Sequence, residues 1–136
     1  IVMTMVMGMA PKMGMPNMDI VGMLGSMFNA QGNRSLGMIL HFMMGIVFAI
    51  VYAVLWSAGI GAVSWLWGIV FGAAHWILSG LMMGGMSMMH AGVKAGKVEA
   101  PGMFMMNNGG MMAFMGGLVG HVVFGLVVAL VYGLFV

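Results

Sequence analysis

Four histidines carry most of the side-chain chemistry that this 136-residue chain can offer. His41, His75 and His121 lie inside long apolar runs, whereas His90 lies with the charged residues of a connection. An ionisable residue within a membrane span is a functional-site candidate by default, because lipid does not solvate it. With Met43, Met44, Met82 and Met83 near their level, the three imidazoles could ligate copper or zinc. His41 and His121 could also hold a haem between them. The glycines that flank both histidines oppose haem, since small-residue stripes bring helix axes close together. The alternative is structural: a neutral imidazole donates its ring N–H to a carbonyl, a serine or a second histidine and so fixes helix register. Ser79 and Tyr52 are available as such partners. A proton or small-solute path would need Asp19 and Glu99 as entry groups; otherwise these are solvated or paired with Lys12, Lys94 or Lys97.

The elements that position the histidines follow from the apolar pattern. Gly37, His41, Gly45, Ala49 and Tyr52 recur at spacings of four, four, four and three, which places them on one helical face. Gly117, His121, Gly125, Ala129 and Tyr132 repeat the stripe at a constant offset of 80 residues. Seven of the seventeen positions from 37 to 53 are identical to those from 117 to 133. The same offset pairs Gly22-Met23 with Gly102-Met103, and Asp19 with Glu99, the only two acidic residues. This is an internal duplication.

Composition sets the environment. The chain is 63% hydrophobic and 4% charged, with 24 glycines, 23 methionines and no cysteine. Soluble domains are about 25% charged, so this chain belongs in a lipid bilayer. A net charge of +2, resting on four basic residues, is too sparse for a nucleic-acid surface. Disulfides, thiolate metal sites and thiol catalysis are excluded by the lack of cysteine. No H-E-x-x-H, G-x-S-x-G or Walker loop is present, and with two acidic residues in all the chain reads as a non-enzyme.

Three spans are expected, at Leu36–Ser57, Ser64–Met89 and Met111–Val136. The second is longer than a bilayer requires and is expected to tilt, project or break at Gly84-Gly85. Residues 1–10 are too short to cross, and Asp19–Phe28 reads as a short interfacial helix with Asp19 near its start. On the offset, residues 1–10 match 81–90, so the first helix is expected to be truncated. The expected fold is all-α and integral to the membrane: a four-helix transmembrane bundle of two parallel two-helix repeats, in a single domain over 1–136. Repeat one covers 1–56, with its start missing, and repeat two covers 64–136. Short interfacial helices would occupy the long connections. Every charge lies in those connections and Trp56, Trp65 and Trp67 flank the short 57–63 turn, so the connections are expected on the cytoplasmic side.

The stretch Met13-Gly14-Met15-Pro16-Asn17-Met18-Asp19-Ile20, with His41-Phe42-Met43-Met44-Gly45, Tyr52-Ala53 and His75-Trp76, resembles an uncharacterised family of small bacterial polytopic membrane proteins. The resemblance implies a helical fold and a bacterial inner-membrane location, and assigns no activity or site. The expected function is that of a structural or accessory subunit, with Gly37, Gly45, Ala49, Tyr52, Gly117, Gly125, Ala129 and Tyr132 packing helices and the chain docking on other membrane-protein subunits. The alternatives are copper handling by His41, His75 and His121 with nearby methionines, or a small transporter or channel. No cofactor is expected outside the copper alternative, for which the residues are better suited than for haem.

Overall fold

The computed structural model describes residues 1–136 and is all-helical, with no strand. Helix α1 (Val2–Met9) runs into a 3-10 turn at Ala10–Met13 and is followed by α2 (Ile20–Gly25). The long helices are α3 (Arg34–Ser57), α4 (Trp65–Gly84) and, after α5 (Ala91–Lys94) and a 3-10 segment at Met103–Asn108, α6 (Gly110–Tyr132). At 24, 20 and 23 residues, α3, α4 and α6 are long and apolar enough to cross a membrane. The eight residues of α1 are too few to cross.

Caps fix where the helices begin. Asp19 accepts from the Gly22 N–H at 3.0 Å to start α2, and Asn33 accepts from the Leu36 N–H at 3.0 Å to start α3. Ser64 caps α4 more loosely, accepting from Trp67 at 3.4 Å. The expected span from Ser64 to Met89 ends early: α4 stops at Gly84, and Met86–Met88 forms a separate 3-10 turn.

The tightest packing in the molecule is between α4 and α6. A Cβ added at Gly125 would strike the Gly68 carbonyl oxygen and lie 2.9 Å from the Gly72 nitrogen. One at Gly72 would strike the His121 carbonyl oxygen, and one at Gly68 would lie 2.6 Å from the Gly125 oxygen. The two backbones therefore meet directly, as small residues allow in lipid. The matching stripe on α3 has other neighbours. Gly37 abuts the Val21 carbonyl of α2, while Gly45 has only the Phe124 ring within reach, at 3.7 Å. The seam of the bundle is thus α6 against the glycines of α4, and not one duplicated stripe against the other.

Helix α3 reaches α4 through side chains. Tyr52, Trp56, Phe71 and Ala129 form a buried cluster near the 57–63 turn, flanked by Phe124 and Tyr132. Trp56 stacks on both Phe71 and Tyr132, with ring centres 5.4 and 5.7 Å apart. At the opposite end Met18, Met105 and Ala113 form a second buried cluster, backed by Met7, Ile20 and Met83. Helix α1 lies on α6, where a Cβ at Gly120 would come 2.9 Å from the Met7 sulfur.

The long connections are stitched to each other. Ala91 and Gly92 donate to the carbonyls of Met27 and Ser26 at 2.9 and 3.0 Å. His90 is fully buried between them: its Nε2 is 2.7 Å from the Met23 carbonyl oxygen, and its Nδ1 accepts from the Val93 N–H at 3.2 Å. Both ring nitrogens are therefore committed, with the proton on Nε2. Phe104 and Met105 hold positive φ angles of 55° and 56°, a conformation that costs roughly 1–3 kcal/mol per residue outside glycine. The contortion seats Phe104 over Gly80, against Trp76 and Phe114, and buries Met105.

Two outcomes follow from this packing. Gly125→Val forces the α4 and α6 backbones apart and costs about 1–3 kcal/mol of stability in detergent unfolding, whereas Gly45→Val, at the equivalent position of α3, changes it by less than about 0.5 kcal/mol. His90→Ala leaves the Val93 N–H unpaired and strips the Met23 carbonyl of its shortest hydrogen bond, leaving it only those from Ser26, at a cost of about 1–3 kcal/mol. Amide exchange at Val93 and in 23–27 accelerates, while that of the α4–α6 seam is unchanged.

Candidate functional site

The structure gathers His41, His75 and His121 around one cavity of about 290 Å³ inside the helix cluster. Thr4 and Met7 of α1, Phe48 of α3, Trp76 and Ser79 of α4, and Phe124 of α6 complete much of its wall. The cavity owes its existence to the unequal helix spacing. Glycines draw α6 onto α4, while Tyr52 and Phe71 hold α3 away from them, at a ring separation of 5.3 Å.

Each histidine is anchored differently. His41 Nε2 lies 3.1 Å from the Thr4 hydroxyl. His75 Nδ1 lies 3.2 Å from the Tyr52 hydroxyl, which donates to the Phe71 carbonyl at 3.0 Å. His121 Nδ1 lies 2.8 Å from the Gly117 carbonyl of its own helix, four residues back. The His75 and His121 rings meet edge to face at 4.7 Å, and Phe48 stacks on the far side of His75 at 3.6 Å. All three rings are half-buried, open to the cavity on one side.

This arrangement does not bring the three imidazoles to one ligating point. No group of three His, Cys, Asp or Glu side chains in the chain stands where it could hold a metal ion. Two imidazole nitrogens at about 2.0–2.1 Å from one tetrahedral ion keep their ring centres roughly 5 Å apart or more. The perpendicular contact between His75 and His121, at 4.7 Å, is instead ordinary ring packing. His121 stands beside His75 and Trp76, whose ring centres are 4.7 and 5.0 Å away.

The helix-packing residues divide by role. Gly117 receives the Trp76 ring, Gly125 and Ala129 pack against Gly68, and Gly37 receives α2. Gly45 lines the cavity. Tyr52 is a hydrogen-bonding hub, whereas its counterpart Tyr132 only stacks on Trp56. Sequence reasoning missed Gly68, Gly72, Trp76 and Gly80, although they too recur every fourth residue along α4.

Beyond the cavity, between the two long connections, lies a polar cleft of about 480 Å³. Arg34, Lys97, Asp19 and Glu99 contribute two charges of each sign to it. Asn17, Asp19, Arg34 and Met105 line both the cleft and the histidine cavity, and so form the partition between them. Asp19 and Arg34 make the one ion pair of the protein, a two-pronged contact at 2.6 and 3.0 Å. Lys12, Lys94 and Glu99 make none. Hydrogen bonding to the Arg34 guanidinium holds the Asp19 carboxyl below the usual carboxylate range; partial burial opposes this, and the Gly22 N–H adds to it. At the other end, the Tyr52–Trp56–Phe71 cluster closes the cavity toward the 57–63 turn.

Three helices long and apolar enough to cross a membrane thus surround a cavity lined by three histidines and by aromatic side chains. No protein-family model, curated protein or solved structure matches the chain.

The partition yields a pH prediction. The lowered Asp19 carboxyl stabilises the folded state above its unfolded-state value near 3.8, and this contribution disappears as pH falls through its lower folded value. The side chains of Arg34 and Asp19 are 70% and 48% exposed, so the contribution is at most about 1 kcal/mol. Asp19→Asn keeps an N-cap but removes the charge. The variant is therefore less stable than the natural protein at pH 7 by under about 1 kcal/mol, and the difference closes in acid, as read from unfolding midpoints across pH.

Proposed function

We propose that this protein is a non-catalytic, multi-pass membrane protein that holds a small, membrane-soluble molecule in the histidine-lined cavity. The observation that carries this proposal is the cavity itself: three intramembrane histidines line one space that borders a polar cleft at one end and is sealed by aromatic packing at the other. A purely structural bundle fills such a space with side chains, because an unfilled interior forfeits dispersion contacts. At about 290 Å³, the cavity lies at the small end of the roughly 300–1,000 Å³ range of ligand pockets. The closed end favours a carrier or binding protein over an open channel.

The wider assignment rests on the sequence. The constant offset between the stripes supports a four-helix bundle of two parallel repeats, with α1 as the end of its first helix. Charge and tryptophan placement support long connections in the cytoplasm, and the motif resemblance supports a bacterial inner membrane.

A second role, as an accessory subunit, is favoured by α3. Only 6% of its most apolar window is buried, against 28% for α4 and 33% for α6. Ile39, Ile46, Ile50 and Val54 line its exposed surface and suit the helix of another membrane subunit.

The test uses the full chain in nanodiscs and 1-aminoanthracene, a small aromatic that fluoresces in apolar sites. Saturable binding at one site per chain is expected, weakened about tenfold by Gly45→Leu, which fills the cavity from a position with room for a side chain. Non-saturable uptake, or equal binding by Gly45→Leu, defeats the proposal. Copper that co-purifies with the chain and is lost on His75→Ala and His121→Ala would put metal handling in its place.

A further inference from the structure

The protonation pattern of the cavity histidines selects among ligands. His121 Nδ1 lies 2.8 Å from the Gly117 carbonyl oxygen. A carbonyl only accepts, so Nδ1 carries the ring proton and Nε2 presents a lone pair. The Tyr52 hydroxyl has one hydrogen and donates it to the Phe71 carbonyl at 3.0 Å. Toward His75 Nδ1, at 3.2 Å, the hydroxyl must therefore accept, so His75 also carries its proton on Nδ1. Neither Nε2 has a partner within the protein. His41 differs, because its Nε2 is engaged by Thr4. The cavity thus holds two neighbouring imidazole acceptors with lone pairs uncommitted, in a wall where aromatic and methionine side chains alternate with Thr4, Ser79 and, at the cleft edge, Asn17, Asp19 and Arg34.

We infer that the cavity binds a neutral, aromatic, hydroxyl-bearing lipophile, a molecule of the phenol class whose O–H donates to Nε2 of His75 or His121. This rests on the cavity being a binding site at all. Three observations set the class. Two unpaired acceptors ask for a donor, and a ligand without one leaves them desolvated and unsatisfied. Phe48 and Phe124 line the cavity beside the histidines: Phe48 stacks on His75 at 3.6 Å, and Phe124 lies 5.8 Å from it. Such walls complement a ring better than a flexible chain. No free carboxylate lines the cavity, since Asp19 at its edge is held by Arg34. A cation would therefore enter without a counter-charge, which membrane interiors penalise.

The size limit is consistent with one ring and a short tail. Entry from the lipid side runs beside α1, where Met3, Thr4 and Met7 line the cavity. The bound hydroxyl needs no proton transfer or redox partner; the two imidazoles act as hydrogen-bond acceptors and their tautomers are unchanged.

The experiment compares three probes on the full chain in phosphatidylcholine nanodiscs, each corrected for its partition into empty nanodiscs. They are 4-hexylphenol, its methyl ether 4-hexylanisole, and 4-hexylbenzylammonium. The phenol should bind about tenfold more tightly than the ether, which has the same ring and tail but no donor. Histidine ¹⁵N spectra should show the Nε2 resonances of His75 and His121 moving with the phenol and not with the ether. His75→Phe and His121→Phe should narrow the preference, and the spectra of the natural protein keep the inference testable if either variant fails to fold. Equal affinity for phenol and ether overturns the inference while leaving the cavity as a binding site. Tighter binding of the ammonium probe overturns it in favour of a cation. No saturable binding of any probe overturns it together with the proposal on which it rests.

Discussion

Direct backbone contact between α4 and α6 is the constraint from which the rest of the interior follows. Gly68 and Gly72 on one helix and Gly125 on the other leave no side chain between them, so carbonyl oxygens face α-carbons and amides at van der Waals distance. In lipid there is no hydrophobic gain from bringing apolar helices together, and close packing has to supply the attraction. Such contact also fixes rotation and register. With Gly72 against the His121 carbonyl, His121 is held beside His75, three residues further along α4. The histidine pair is a consequence of the glycine seam.

The same seam explains why an interior space exists. Two helices in backbone contact present a narrow front to a third, and α3 meets that front through large rings. Tyr52, Trp56 and Phe71 fill the gap near the 57–63 turn, with Trp56 sandwiched between Phe71 and Tyr132. One helical turn or more away, α3 offers Gly45 and Phe48, and the gap is only partly filled. Phe104 plays a related part further along α4, wedged over Gly80 and against Phe114 of α6 by a backbone that adopts positive φ without glycine. Large rings are placed where glycines make room, and the cavity remains beside Gly45 of α3, where only the Phe124 ring reaches toward it.

How far this was legible in the sequence depends on the range of the contacts. Spans, short turn and the Asp19 cap depend on local pattern, and all lie near where the residues put them. The α6 stripe was recognisable as a packing face, but a stripe does not name its partner. Gly68, Gly72 and Trp76 supply that partner at the same four-residue spacing, and the large ring at Trp76 masks the row as a small-residue stripe. The His90 staple joins residues 67 apart in sequence and leaves no periodic trace. Nor does composition foretell that Phe104 and Met105 adopt a glycine-like backbone. The two matching stripes show most clearly that similar residues need not do similar work. His41 binds a hydroxyl from α1 where His121 binds its own helix, and Tyr52 hydrogen-bonds where Tyr132 stacks.

That divergence is what gives the site its chemistry. His41 is engaged at Nε2 by the Thr4 hydroxyl, whereas His121 is held at Nδ1 by a carbonyl of its own helix. The tautomer of His75, which lies outside both stripes, is set by a tyrosine already committed to another carbonyl. In His121 and His75 alike the proton sits on the nitrogen held by the protein and Nε2 is left as an acceptor. In water such an acceptor is solvated at once and discriminates little. Where Phe48 and Phe124 lie against His75, a bound molecule displaces that solvent, so a donor-bearing molecule and its donor-free analogue differ by the cost of an unsatisfied nitrogen. Selectivity here comes from the low polarity of the walls as much as from the histidines, and the aromatic packing that holds α3 in place provides both.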